Sequence, residues 1–368
     1  MSCPLSIIFL LLIALRTRKL GDKLFCYFSI WCIGILIDLE LSQRVFGEIS
    51  ERFDLFFLLF LIILYSSYVI SSKFFNKSRE ITIKVPANIK FEMYYKICII
   101  FSLFNLVWGL INIRTMSFGD LRQIVAQGDI SFHSGISTAL LASAMYYANT
   151  YNYKWEIKAR IAVTMLGVAV LSTSKMFLVI DTLYILPWYI RDYRIKIKNI
   201  LVLIFGSIVG FYLFNGMTGR LAGGTDSVFR NLLYTMNGYL IGGLAIFQRY
   251  LDNNIYYTSP GWIKTGRWVG NVSTAFVYLY QNYNIILFII KVILIGILYA
   301  LLNMNIKSIK FLRIYSLYPL FFIFFDELYF KSITQWIVFC IAGFLLLFIK
   351  PNQADAGYDD RRLMKSYD

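Results

Sequence analysis

The chain is a succession of long apolar runs, and most runs are separated from the next by a polar segment that contains lysine or arginine. A helix needs about 20 predominantly apolar residues to cross the hydrocarbon core of a bilayer. The residues are 58% hydrophobic and only 15% charged, which is not the composition of a soluble globular domain. The pattern therefore predicts an all-α fold, that of a polytopic integral membrane protein.

The net charge of +15 is distributed over the loops between the apolar runs. Cytoplasmic loops of membrane proteins carry an excess of Lys and Arg, so this charge indicates orientation in a membrane and no nucleic-acid partner. The five cysteines are scattered in or beside apolar runs, which indicates packing residues rather than disulfides or metal ligands. A single histidine excludes a His-rich metal site.

The alternation of basic and less basic loops predicts about eleven spans, with the N-terminus outside and the C-terminus inside. Residues 161–190 form one apolar stretch with basic loops on both sides, so we predict a hairpin that turns at Ser172–Lys175. Residues 232–247 are interrupted by glycines and Asn237, so we predict an amphipathic or re-entrant helix there. The runs lie at about 4–15, 24–42, 55–72, 94–113, 135–150, the two arms of 161–190, 199–215, 284–304, 314–328 and 333–349.

This topology divides the chain into four parts. Residues 1–214 form the first part of a transmembrane bundle, with an outer loop at 113–134. Residues 215–283 form a large outer loop, which we call the late loop. Residues 284–350 form the C-terminal transmembrane helices, and residues 351–368 form a cytoplasmic tail.

The late loop combines glycines, arginines and aromatic residues. Glycine lets the backbone approach a ligand closely, the arginine fork suits phosphate, and flat aromatic faces suit apolar ring surfaces. Arg220 and Arg230 flank Gly223 and Gly224, so both could reach one anionic group such as a diphosphate. The alternative is a solvated loop, or arginines that bind lipid phosphates. The same combination recurs further along the loop at Arg249, Tyr250, Trp262, Arg267 and Trp268.

Lys175 lies at the predicted hairpin turn, directly after a run of three hydroxyl residues at 172–174. A lysine among apolar runs must find water, a carboxylate or a bound anion, because burying it without a partner is costly. Nearby hydroxyls and helix-terminal N–H groups would help to hold a phosphate. The alternative is a lysine that snorkels to the membrane surface.

His133, in the outer loop 113–134, is the side chain whose ordinary pKa best suits proton transfer near neutral pH. It could accept a proton from an attacking hydroxyl, and the alternative is an incidental loop histidine. Asp129, Asp226 and Asp252 are rival bases. The sequence has no paired D-x-D acids and no nucleotide-binding motif, so we expect no metal and no other cofactor. Asp181 and Lys291 are ionisable residues within predicted spans.

Three stretches resemble a known family. The sequence LSTSK at 171–175 resembles the Ser-rich turn that O-antigen ligases and polymerases have between two helices, with Lys where Arg is commoner. GRLAGG at 219–224 resembles the Arg-containing entry to the large loop, and residues 271–302 resemble the helix that follows it. With the topology, these stretches resemble the Wzy family of bacterial O-antigen and capsule repeat-unit polymerases. The related ligases use a histidine in the late loop, which this chain lacks there.

The resemblance implies a glycosyltransferase that acts at the periplasmic face of the bacterial inner membrane. The donor would be a glycan on undecaprenyl diphosphate, and the acceptor would be a sugar hydroxyl of a single lipid-linked repeat unit. Lys175, Arg220 and Arg230 would neutralise the diphosphate leaving group, while tyrosines and tryptophans of the late loop would stack on sugars. The expected partners are the lipid-linked oligosaccharide, membrane lipids and a polysaccharide chain-length regulator.

A lipid-linked oligosaccharide flippase is the alternative from another class. It would share the basic residues and a groove for the polyprenyl chain, but a transporter more usually shows internal repeats. It would also not need a large outer loop.

Overall fold

The structure is a computed structural model of the 368-residue chain. It describes residues 3–19, 22–43, 50–75, 88–117, 120, 134–172, 175–192, 238, 241–253, 263–265, 268–270, 274–280, 283–304, 306–324, 329–330 and 332–350. The helices are α1 Pro4–Lys19, α2 Lys23–Leu41, α3 Glu51–Phe75, α4 Phe91–Thr115, α5 Ser134–Thr150, α6 Trp155–Leu171, α7 Lys175–Asp192, α8 Gly242–Asn253, α9 Ala275–Leu279, α10 Ile285–Leu302, α11 Lys307–Phe321 and α12 Ile333–Leu345. The short strands are β1 Ile89–Lys90, β2 Ile263–Thr265, β3 Trp268–Gly270 and β4 Ile349–Lys350.

Four helices in the described part of the chain are long and apolar enough to cross a membrane: Leu24–Leu41, Glu51–Phe75, Phe91–Asn112 and Ile285–Leu302. Two shorter apolar helices cover Met176–Pro187 and Ile333–Phe348. The helical class predicted from the sequence is therefore confirmed. The count of about eleven spans stays a prediction, and the run at 199–215 lies outside the described residues.

The chain divides into two compact units. Unit one comprises Met1–Arg79, Leu221–Met304 and Ser316–Ile333. Unit two comprises Glu80–Arg220, Asn305–Tyr315 and Thr334–Asp368.

Hydrogen bonds at both ends of α3 fix the directions of its neighbours in unit one. Asp54, in the first turn of α3, accepts the backbone N–H groups of Leu5 (3.2 Å) and Ser6 (3.1 Å), so α1 begins at the same end as α3. Near the other end, Tyr68 donates its hydroxyl to Asp22. Asp22 in turn caps the first turn of α2, so α2 begins at the opposite end.

Helix α10 runs parallel to α3. Phe56 of α3 lies 4.6 Å from Phe288 of α10, measured between ring centroids, and Ser67 further along α3 lies against Gly296 further along α10. At the far end, Asn303 donates to the Tyr68 hydroxyl. These directions agree with the predicted topology, in which the first, third and ninth runs cross one way and the second crosses the other way.

In unit two, the helical structure within residues 161–190 is interrupted at the predicted turn, Ser172–Lys175. Helix α6 ends at Leu171, with Ser172 as its C-cap, and α7 begins at Lys175. The two helices pack against each other, which makes them a helical hairpin. Tyr184 of α7 donates its hydroxyl to the Phe311 carbonyl (2.8 Å), which ties the hairpin to the first part of α11.

Two boundaries differ from the sequence prediction. The tenth run was expected at about 314–328, whereas α11 begins in the basic segment at Lys307 and ends at Phe321, shortly after Pro319. Pro319 has no N–H to donate, so the last turn of α11 lacks one intrahelical hydrogen bond. The amphipathic helix was expected to end at Phe247, whereas α8 continues to Asn253, because Tyr250 and Leu251 extend its apolar face.

Candidate functional site

The late loop is represented in the structure by α8, by the antiparallel hairpin of β2 and β3, and by α9, all in unit one. The hairpin pairs Thr265 with Trp268, and β2 packs against α8. The helix predicted at 232–247 overlaps α8 over residues 242–247, and α8 is followed by a small strand pair that the sequence did not predict.

An aromatic cluster fixes α8 and α9 to the beginning of α3. Phe247 of α8 lies 5.1 Å from Phe56, and Phe276 of α9 lies 4.9 Å from Phe60, both measured between ring centroids. Phe247 and Phe276 also face each other at 5.5 Å. Such ring pairs add to the free energy gained from burial alone. The described part of the late loop is thus held at the end of unit one where α1, α3 and α10 begin.

The start of α9 is anchored by hydrogen bonds to a single carbonyl. Thr274 caps α9 by accepting the N–H of Phe276 (3.2 Å), and its own hydroxyl donates to the Ile323 carbonyl (3.2 Å). The N–H of Ala275 donates to the same carbonyl (3.1 Å). Thr274 is fully buried, so the polar groups at this helix start are satisfied inside the protein.

Tyr250, predicted as a sugar-stacking residue, is buried at 5% exposure. Its ring is stacked on Tyr283 with centroids 4.6 Å apart and planes 7° from parallel. Tyr283 donates its hydroxyl to the Tyr250 carbonyl (3.4 Å). In this structure Tyr250 therefore holds α8 against the segment that precedes α10, and it does not offer a ring face to solvent.

Arg249 is exposed on α8 and lies beside the buried Tyr250 in the last two turns. The preceding residues of α8 are buried, and Asp252, three positions further along, is exposed. The helix thus turns an apolar face to the aromatic cluster and carries its charged side chains on the opposite face. Arg249 is the one predicted ligand-binding residue whose exposed side chain the structure describes.

Lys291 is the one charged residue in the sequence of α10. Its ammonium group donates to the backbone carbonyl of Tyr278 in α9 (2.8 Å) and lies 5.9 Å from the centroid of the Phe330 ring. A carbonyl and a ring face both stabilise a cation within an apolar helix. Lys291 thereby connects α10 to the described part of the late loop.

The other predicted site residues are described only in part or lie outside the described residues. Lys175 begins α7 and Trp268 lies in β3, and in both cases the structure describes the backbone alone. His133, Arg220, Asp226, Arg230, Trp262 and Arg267 lie outside the described residues. The roles of all these residues stay predictions.

The hairpin turn before Lys175 is closed by a buried serine. Ser172 is 3% exposed, and its hydroxyl donates to the Ala169 carbonyl (2.9 Å) while its N–H donates to Val168 (2.9 Å). The Ser172 hydroxyl therefore satisfies the end of α6 rather than pointing outward. If Lys175 forms an anion site, the hydroxyl ligands of that site would come from Thr173 and Ser174.

Comparison with known proteins agrees with the resemblance. The chain is 26% identical over 349 residues to a protein of Shigella dysenteriae named O-antigen polymerase, and the alignment covers 86% of this chain and 89% of that protein. The resemblance to O-antigen polymerases is confirmed. No family model matches the chain, and no solved structure matches it.

Two features of the late loop were missed in the sequence. The strand pair had a local signal, because Gly266-Arg267 is a two-residue connection with glycine first, and this order favours a type II′ hairpin turn. The contact of Lys291 with Tyr278 had a weaker signal, which is a lone lysine in an apolar run thirteen positions after Tyr278. The carbonyl that accepts from Lys291 belongs to α9, and the local sequence does not show how α9 packs against α10.

Proposed function

We propose that this protein is an O-antigen polymerase, a glycosyltransferase that joins oligosaccharide repeat units carried on undecaprenyl diphosphate. The observation that carries the proposal is the similarity to the Shigella dysenteriae O-antigen polymerase over 86% of this chain. The apolar helices of the structure support a multi-pass membrane setting for such an enzyme.

In the proposed reaction, the acceptor sugar hydroxyl of one lipid-linked repeat unit attacks the anomeric carbon of the donor glycan. The new glycosidic C–O bond forms as the C–O bond to the diphosphate breaks, and undecaprenyl diphosphate leaves with the electron pair. The proton of the attacking hydroxyl passes to a base. His133 and Asp226 are the proposed candidates for that base.

Cations would stabilise the negative charge that develops on the leaving diphosphate, and this electrostatic contribution is often the largest in catalysis. Lys175, Arg220 and Arg230 are the proposed diphosphate ligands. The proposed glycan contacts are Arg249, Arg267, Trp262 and Trp268, with Tyr250 supporting Arg249 from the buried face of α8. The scheme uses no metal, because the three proposed cations would neutralise the leaving diphosphate in its place.

We place the late loop on the periplasmic side of the inner membrane. Helices α3 and α10 run parallel, so an odd number of crossings must separate them if both span the membrane. The predicted topology has five crossings between them, which satisfies this condition. Basic loops bound the predicted spans on the other side, as the positive-inside rule requires of the cytoplasmic face. A chain-length regulator would meet the polymerase in this membrane.

The test is polymer formation by the purified full-length protein in liposomes, with synthetic undecaprenyl-diphosphate-linked repeat units and a chelator of divalent metals. We expect a ladder of polymers on a gel without any other protein. Arg220→Ala is expected to abolish the ladder, while Arg160→Ala, an exposed arginine of α6 on the predicted cytoplasmic side, should leave it intact. Both variants must reach the membrane in wild-type amounts.

A flippase would behave differently in the same liposomes. It would move the lipid-linked repeat unit across the bilayer and form no polymer. That result, or a wild-type ladder from Arg220→Ala, would contradict the proposed reaction or the role of Arg220, respectively.

A further inference from the structure

A groove of about 380 Å³ opens along α2 in unit one, between this helix and the last residue of α11. Most of its lining is apolar, including Ile30 and Phe321. Trp31 forms part of the wall and donates its indole N–H to the Phe321 carbonyl (2.9 Å), which fixes the wall in place. A Cβ atom added to Gly34 would meet nothing within 4 Å, so the groove is open at this helix turn.

The length of the groove matches one leaflet of a bilayer. Its lining runs along α2 from Tyr27 to Asp38, which are eleven positions apart and therefore separated by roughly 16 Å along the helix axis. One leaflet contributes about 15 Å of hydrocarbon to the bilayer core. The apolar part of α2, Leu24–Leu41, is long enough to span that core. A single fatty chain of one leaflet would fill the groove.

A carboxylate stands at one end of this apolar surface. Asp38 is half-buried in the groove lining, and its Oδ1 accepts the Ser42 hydroxyl at 3.4 Å. A carboxylate near the end of a membrane helix is stabilised by a cationic partner. It also repels a head group whose charge is purely anionic. The end of the groove therefore favours a lipid whose head group carries an ammonium ion with N–H donors.

We propose that this groove binds one aminophospholipid of the phosphatidylethanolamine type. Its ammonium group pairs with Asp38, and one fatty chain lies along Ile30 and Gly34 toward Tyr27. Asp38 lies near the end of α2, which is the end of unit one where α3 and α10 begin, so the lipid head group lies at the same end as the late loop. An undecaprenyl diphosphate is disfavoured there, because its phosphates would face the Asp38 carboxylate.

The test is native mass spectrometry of the delipidated full-length protein in detergent, with four lipids added separately: dioleoyl phosphatidylethanolamine, phosphatidylcholine, phosphatidylglycerol and undecaprenyl diphosphate. We expect one phosphatidylethanolamine per chain, bound about tenfold more tightly than the other three lipids, a difference of about 1.4 kcal/mol. Asp38→Asn is expected to remove this preference, and Gly34→Leu is expected to block the groove and remove the bound lipid.

Gly34→Ala is the matched control, because one methyl group fits the open space and should leave lipid binding unchanged. If Gly34→Leu aggregates, Ile30→Trp, at a 55% exposed position of the same groove, provides a second way to fill it. Equal binding of phosphatidylethanolamine and phosphatidylglycerol by the wild type would overturn the proposal. So would an unchanged preference in Asp38→Asn, or displacement of phosphatidylethanolamine by undecaprenyl diphosphate.

Discussion

Gly296 lies at a close contact between α10 and α3, and its replacement by alanine tests how these helices pack. A Cβ atom at this position would overlap Oγ of Ser67 and lie 2.9 Å from the backbone carbonyl oxygen of Leu64. The Ser67 hydroxyl can rotate away only by giving up its hydrogen bond to that same carbonyl (2.9 Å). The carbonyl itself cannot rotate, so Gly296→Ala requires α3 and α10 to separate.

The expected loss follows from three contributions. Overpacking a tight interface costs about 1–3 kcal/mol, and the lost hydrogen bond costs about 0.5–1.5 kcal/mol. Alanine recovers about 1 kcal/mol through its higher helix propensity. The net loss is about 0.5–3.5 kcal/mol. At about 2–4 °C per kcal/mol for a unit of 150–250 residues, the melting temperature should fall by roughly 1–14 °C.

The assay is the fraction of protein that stays monodisperse on size-exclusion chromatography after heating in mild detergent. Gly34→Ala is the matched control, since its new methyl group meets nothing within 4 Å and its melting temperature should stay level or rise slightly. Ser67→Gly added to Gly296→Ala should restore part of the loss, because it removes both Ser67 atoms from the contact. Equal melting temperatures for the two alanine variants would refute the close packing of α3 on α10.

Three further variants can be followed by the same melting assay. Asp54→Ala should lower stability by about 1–3 kcal/mol, because the N–H groups of Leu5 and Ser6 at the start of α1 lose their acceptor; Asp54→Asn should lose less, and an unchanged alanine variant would contradict the cap. Asp181 is fully buried in α7, and both its carboxylate oxygens lack a hydrogen-bond partner within the described residues. Asp181→Leu should therefore raise the melting temperature, whereas a fall would show that the carboxyl group has a stabilising partner. Lys291→Met should cost about 1–2 kcal/mol through the lost bond to Tyr278, and no loss would mean that this bond does not secure α9.

The helical hairpin of α6 and α7 shows what the sequence could predict. Neither arm is visible as a separate apolar run, but the basic loops on both sides require an even number of crossings. The polar residues at 172–175 then leave one place for the turn, and Ser172 caps α6 there. Hydropathy and loop charge can be read directly from the sequence, so this prediction needed no knowledge of tertiary contacts.

The pairing of β1 with β4 shows what the sequence could not predict. Ile89 pairs with Ile349 in a parallel ladder of two residues, and Tyr147 donates its hydroxyl to the Ile349 carbonyl (3.1 Å). Each strand is too short to give an alternating pattern, and the partners lie far apart in the chain. The burial of Tyr250 could not be predicted for the same reason, because its stacking partner Tyr283 comes from a later segment of the chain.

The central claim is that the late loop faces the periplasm, where cations can meet the diphosphate of a lipid-linked glycan. It is tested most directly by cysteine accessibility in spheroplasts, with the five native cysteines replaced. A membrane-impermeant maleimide should label Arg249→Cys and Gly224→Cys in intact spheroplasts, and should label the control Lys310→Cys, at an exposed position of α11, only after permeabilisation. Labelling of the two late-loop positions only after permeabilisation would contradict the account.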